Sequence, residues 1–336
     1  MRRALACAAL GLAAACSLTT QPDDYFYEDG RIVQIARFDE GAPTNLVVAA
    51  DALYASVGRA ILRIPKGGGA PTTLVRLASP PRGLDAHRAG QLLVCDPDRG
   101  AFFVATAPPY GETPIAIPGA ASGCLAAATS DVLAVVVPET EATDGGPTPR
   151  PRVAFAPAGG AVTVREVAAS LATVEDALLP AVAVRGTDVG FVVKGVAARA
   201  TSPDDVCMLG RSDNPRIRGP KIVVSEASPA SFVARGGADG LRPFGAQTEC
   251  CGRGVTCDRL ASATISSPID FAASATSLYW VTDGQLGRRP LGALTTAPLA
   301  TDDLQPFTGA SALAVEPDDS AAYLVQGTRV VRLRLH

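Results

Sequence analysis

Tyr54-Ala55-Ser56-Val57-Gly58-Arg59-Ala60-Ile61-Leu62-Arg63-Ile64 is the stretch on which the fold turns, because the chain repeats its pattern near the other end. There it reads Tyr323-Leu324-Val325-Gln326-Gly327-Thr328-Arg329-Val330-Val331-Arg332-Leu333. A third version starting at Tyr279 keeps Leu286 and Arg288 at the same offsets, with Asp283 in the glycine's place. Apolar β-formers flank a turn residue on both sides, so the pattern spells two strands and a tight hairpin. One such unit cannot bury its own faces, and recurrence implies a ring or stack of units.

Working outward, the unit around Tyr54 contains four apolar runs: Asn45 to Ala49, Leu53 to Ser56, Ala60 to Ile64 and Thr72 to Arg76. Lys66-Gly67-Gly68-Gly69-Ala70-Pro71 turns the chain between the last two. The same layout returns in register from Ile269 through Tyr279-Trp280 to Leu299, where Pro290 matches Pro65 and Gly292 matches Gly67. Weaker copies lie between, from Gly83 to Ile117, Gly123 to Val167, Ala181 to Val224 and Ser231 to Leu260. The spacing of about 40 residues is that of a four-stranded propeller blade.

The last unit, Leu313 to Leu335, supplies only three strands, while Arg31 to Phe38 alternates and belongs to no unit. Pairing that orphan strand with the final three closes a ring and removes two exposed edges. The fold expected is therefore all-β: a β-propeller of seven four-stranded blades, its ring closed by an N-terminal strand joining the last blade. Six blades is the alternative, if the cysteine-rich stretch is only an insertion. Glu139 to Arg152 and Gly245 to Arg259 read as loop insertions. Val167 to Leu179 is the best helical stretch, and its apolar stripe is poor.

Ahead of the repeats, Arg2 and Arg3 precede an apolar run from Ala4 to Ala15, too short to span a bilayer. It ends Leu12-Ala13-Ala14-Ala15-Cys16, which resembles the lipobox of bacterial lipoproteins, although Ala13 stands where that family usually has leucine. The resemblance implies a signal peptide over 1–15, lipidation of Cys16, a tether over 16–30 and a propeller domain over 31–336. A membrane partner follows through the lipid anchor. In the enteric sorting rule an aspartate after the cysteine would retain the protein at the inner membrane. Ser17 stands there instead, so the outer membrane is the expected location.

A formal net charge of -3 argues against a nucleic-acid partner, which would require a basic face. Cys7 falls in the leader. Cys95, Cys124, Cys207, Cys250, Cys251 and Cys257 form an even set, read as disulfides in an exported chain. Cys95 with Cys124 is the favoured pair, because the repeat places them on neighbouring units; Cys207 is assigned to the later cluster. No metal is assigned to these thiols, whose spacing lacks the paired Cys-x-x-Cys of zinc ribbons.

No residue is assigned a catalytic role. The histidines are His87, in a turn-like Ala86 to Gly90, and the terminal His336, with no nucleophile elbow near either. Asn45, Asp85 and Asp270 take equivalent places on the first strands of their units. First strands line a propeller's channel, so these oxygens could converge on a cation, such as calcium, or on a polar ligand. The competing and favoured reading is that they cap strand starts or bond the neighbouring blade's backbone. The hairpin turns Asp96-Pro97-Asp98 and Glu316-Pro317-Asp318-Asp319 are given no function, and Tyr54, Tyr279 and Tyr323 are read as core.

In its mature part the chain resembles the bacterial envelope propeller lipoproteins, which share the broad architecture of the TolB-like, NHL and YVTN repeat families. It lacks the Trp-Asp and Gly-His marks of WD repeats. That resemblance implies a non-enzymatic scaffold, without a cofactor, that offers a blade face to another envelope protein or a ligand. The alternative is a divalent-metal-dependent propeller hydrolase or lactonase with its site at the channel mouth.

Overall fold

Gly58 and Gly327, the repeated glycines, both adopt φ 54°, the left-handed conformation that a side chain strains and a two-residue hairpin requires. They join Leu53–Val57 to Ala60–Ile64 and Ala321–Gln326 to Arg329–Arg334. The pairing sets Tyr54 opposite Arg63, Tyr279 opposite Arg288 and Tyr323 opposite Arg332. The tyrosine-to-arginine spacing is thus the geometry of one hairpin used three times.

The computed structural model describes residues 32–87, 90–117, 123–129, 132–137, 152–157, 163–166, 181–185, 188–193, 196–202, 205–210, 217–224, 231–236, 241–245, 269–282, 284–290, 302–307 and 309–335. Among these residues the strands group into seven antiparallel sheets, six of four strands and one of three. The first sheet is Thr44–Val48, Leu53–Val57, Ala60–Ile64 and Thr72–Arg76; the second is Gly83–His87, Gln91–Asp96, Gly100–Ala105 and Glu112–Pro114. The third opens with Ala126–Thr129 and the fourth with Ala181–Arg185. Three strands, Ile217–Val224, Ser231–Gly236 and Leu241–Gly245, make the fifth. The sixth is Asp270–Ala273, Ser277–Thr282, Gly284–Pro290 and Asp302–Phe307.

Each sheet's opening strand lies against the opening strand of the next, and Ala310–Val315 of the closing sheet returns to Thr44–Val48 of the first. Sheets arranged radially in this way make a β-propeller. The closing sheet is completed by Ile32–Arg37, which pairs antiparallel with Arg329–Arg334, as the orphan strand predicts.

One boundary differs from expectation. Ile222 to Val224 was expected to end the fourth unit, but the strand Ile217–Val224 opens the fifth sheet. Asp205–Gly210 has by then taken the fourth sheet's outer position, so the next strand must start a new sheet. The leader with Cys16, the tether, the stretch over 167–179 and Cys250, Cys251 and Cys257 lie outside the described residues. So do most of the two expected insertions.

The core sits in the seams between sheets. Tyr54, Ile61 and Leu74 of the first sheet pack on Leu92, Val94 and Phe102 of the second. Leu93 and Cys95 meet Cys124, Leu133 and Val135 across the next seam. Ile35 of the closing strand and Phe38 just beyond it fill the seam to the first sheet beside Leu46, Leu53 and Leu62, while Ile32 fills the one to the sixth beside Tyr279 and Val281. One short strand therefore plugs both flanks of its sheet. Each large apolar side chain so buried contributes about 1.5–3 kcal/mol. Cys95 and Cys124 form the expected disulfide, with Cα atoms 5.3 Å apart, stapling the second sheet to the third.

The single tryptophan, Trp280, is fully buried and faces Gly287 across its hairpin, where any Cβ would overlap the indole ring. Gly287→Ala should destabilise the protein by about 1–3 kcal/mol, the usual cost of overpacking. Urea unfolding followed by Trp280 fluorescence checks this, since that residue is both reporter and obstacle.

Candidate functional site

The three polar residues expected on inner strands all sit there, each in a different seam. Asp270 begins its strand, and its Oδ2 accepts the main-chain N–H of Leu313 in the closing sheet at 2.7 Å. Asp85 lies third in Gly83–His87; its Oδ2 accepts the N–H of Thr129 in the third sheet at 2.9 Å, and its Oδ1 the N–H of Ala86 at 2.8 Å. Asn45, at φ 50°, donates through Nδ2 to Ser56 Oγ at 3.0 Å and to the Pro81 carbonyl, on the approach to the second sheet, at 3.2 Å. These side chains thus join consecutive sheets through main-chain groups of the neighbouring sheet.

Burial pushes the Asp85 carboxyl up to about 7, against the pull of the two N–H donors. Its strand neighbour His87 is not in a turn, as expected, but ends the strand half-buried. Extended backbone places Asp85 and His87 on one face. The His87 Nδ1 lies 2.7 Å from Thr129 Oγ1, and its ring stacks on Phe103 with centroids 4.5 Å apart. Among the described residues no three His, Cys, Asp or Glu side chains gather as a metal-holding group.

A second polar system recurs on the second and third strands. The core tyrosines are buried as expected, yet each hydroxyl donates to a carboxylate: Tyr54 to Asp51 at 2.9 Å, Tyr279 to Asp319 at 2.7 Å and Tyr323 to Glu316 at 2.7 Å. The facing arginines take part. Arg63 Nε lies 3.3 Å from Asp51, and Arg288 Nη2 3.9 Å from Asp319 with its guanidinium over the Tyr279 ring. Burial, then the adjacent carboxylate, pushes the hydroxyls of Tyr279 and Tyr323 up.

Two of these acids come from a turn that the sequence reading left without a role. Asp319, at φ 62°, reaches from the closing sheet into the sixth, where it also accepts from Thr276. Burial pushes its carboxyl up, but bonds from Ser274, Thr276 and Tyr279 and the Arg288 charge outweigh that and hold it below the usual range. Glu316 Oε1 meets Lys66 of the first sheet at 2.7 Å, and Arg332 donates to the Lys66 carbonyl at 3.4 Å. For Tyr54 and Tyr323 the readable signal was an acid in the hairpin before the tyrosine, Asp51 and Glu316; Tyr279 has none there and takes Asp319 from the closing sheet.

No protein-family profile matches the chain, and no curated protein is similar to it in sequence. Among solved structures, it is similar to the WD40 repeats of RRP9, with a TM-score of 0.66 and 10% identity over 91% of this chain and 98% of that one. A chain of the mitotic checkpoint complex aligns with a TM-score of 0.56 and 10% identity over 90% and 93%. A gluconolactonase from Xanthomonas campestris aligns with a TM-score of 0.51 and 11% identity over 90% and 89%. At such identities the likeness shows the β-propeller fold alone.

Asp319→Ala removes the acceptor for Tyr279 and Thr276 and the partner of Arg288. It should cost about 1.5–3 kcal/mol at neutral pH, the range for bonds to a charged group. Because the folded carboxyl is depressed, its stabilisation is present above the unfolded carboxyl range and is lost as pH falls through the folded value. The gap between wild type and variant should therefore narrow in acid. Denaturant midpoints compared at pH 7 and pH 3 test both parts.

Proposed function

We propose that this chain is a membrane-anchored, non-enzymatic β-propeller lipoprotein of seven four-stranded blades, acting as a protein- or ligand-binding scaffold in the cell envelope. One observation carries this reading. The inner-strand groups best suited to reactive chemistry, Asp85 and Asp270, each have an oxygen bonded to an N–H of the next sheet. That arrangement favours a rigid platform. Seven sheets of nearly equal make-up and a ring closed by Ile32–Arg37 support the blade count. The resemblance of Leu12 to Cys16 to a lipobox supports lipidation at Cys16 and a tether over 16–30, and Ser17 in place of a retention aspartate favours the outer membrane. Among the similar solved structures RRP9 carries WD40 repeats, and the gluconolactonase is the likeness that favours the metal-dependent hydrolase reading.

Cys16→Ala should move the protein from the membrane fraction to the soluble fraction and abolish incorporation of a labelled fatty acid; retention with full labelling would refute the anchor. Photo-crosslinking in intact envelopes should yield a defined adduct to a protein or ligand, and a folded, tethered chain that crosslinks to nothing refutes the scaffold. Stoichiometric calcium or another divalent ion after dialysis, together with lactone hydrolysis, would establish the enzyme in its place.

A further inference from the structure

The outermost strand of a sheet carries unpaired N–H and C=O groups, onto which another chain can add a strand. Four of the outer strands here hold one residue too many for their ladder. These are Ile35 in Ile32–Arg37, Leu74 in Thr72–Arg76, Leu209 in Asp205–Gly210 and Leu304 in Asp302–Phe307. A bulge of this kind bends and twists its strand, so the edge offers no straight row of bonding groups. Ile35 and Leu74 are also buried in the seams beside their sheets, and packing thereby holds the bulge in place.

Two further edges are guarded by other means. Glu112–Pro114 is three residues long and ends in a proline without an N–H, and Arg99 binds its Glu112. Leu241–Gly245 has Pro243 at its centre. Among the described residues the exception is Thr163–Glu166, outermost in the third sheet. It pairs with Arg152–Pro157 in unbroken register, from Thr163 opposite Phe155 to Glu166 opposite Arg152, with neither bulge nor proline.

We propose that this edge joins two copies of the chain, Thr163–Glu166 of one pairing antiparallel with the same strand of the other about a twofold axis. The proposal rests on the scaffold reading and names the partner as a second copy. Charge selects both partner and register. Arg165 and Glu166 are adjacent and opposite in sign. With the axis between them, Arg165 of each copy stands opposite Glu166 of the other, which makes two attractive cross-strand pairs. A slip of one residue either way sets arginine opposite arginine or glutamate opposite glutamate, and both are repulsive. The contact closes on itself, because each copy offers the same patch. Four residues make a weak contact in free solution, and anchorage to one bilayer raises the local concentration that it needs.

Photo-crosslinking of the full chain in intact envelopes tests this. A crosslinker at Thr163 should give an adduct of twice the chain's mass, and one at Thr73, on the bulged edge of the first sheet, should not. Arg165→Glu and Glu166→Arg should each lower the Thr163 yield about tenfold. Co-expression of the two variants should restore it, since each chain then meets its opposite charge, and that recovery also shows that both variants fold. No doubled mass from Thr163, an equal yield from Thr73, unchanged yields in the single variants or no recovery in the mixture each overturns the proposal. An adduct of another mass at Thr163 overturns self-pairing and keeps the scaffold; absence of adducts at every site on the ring overturns both.

Discussion

Everything in this molecule depends on the antiparallel pairing of Ile32–Arg37 with Arg329–Arg334. Without it the last sheet is one strand short, and the edge of Arg329–Arg334 is left unpaired. The same short strand contributes Ile32 to one flanking seam and Ile35, with Phe38 just beyond it, to the other. Its removal would open a backbone edge and uncover two apolar seams at once. That coupling of hydrogen bonds to burial makes closure cooperative.

Beyond closure, polar side chains give each seam its register. Apolar burial is non-directional, and radially stacked sheets could slide along one another at little cost. A carboxylate accepting one specified N–H, as Asp270 does from Leu313, allows a single register. Between the sixth and closing sheets the Tyr279 hydroxyl on Asp319 does the same further out. Such groups are costly to bury without a partner, so the arrangement holds only where all of them meet together.

Much of the ring was legible from Tyr54, Gly58 and Arg63 and their copies, because hairpin geometry writes itself as local spacing. The orphan strand at residue 32 was legible for a related reason: three strands at one end leave one missing. The pairing of Cys95 with Cys124 followed from the period. The partners of the polar groups were less accessible. Asp85 bonds a residue 44 positions away and Asp319 a tyrosine 40 positions away, and no local pattern states which atom of the next unit an acid will reach. The favoured reading of Asn45, Asp85 and Asp270 named the kind of partner without naming the atom. His87 read as turn because Arg88, Ala89 and Gly90 follow it, yet pairing with Gln91 extends the strand through it. The strand Ile217–Val224 was misjudged because Gly219 and Pro220 interrupt its apolar run.

Closing the circle with the two extremes of the polypeptide has a consequence for how the molecule is made. Ile32 and Leu333 are register partners although almost the whole sequence separates them. Ile32 leaves the ribosome long before Leu333 and must wait for it, and loop closure over that length is slow. Until then every intermediate displays an unsatisfied border. The growing chain therefore gains its full protection in one late step, when its newest strand finds its oldest.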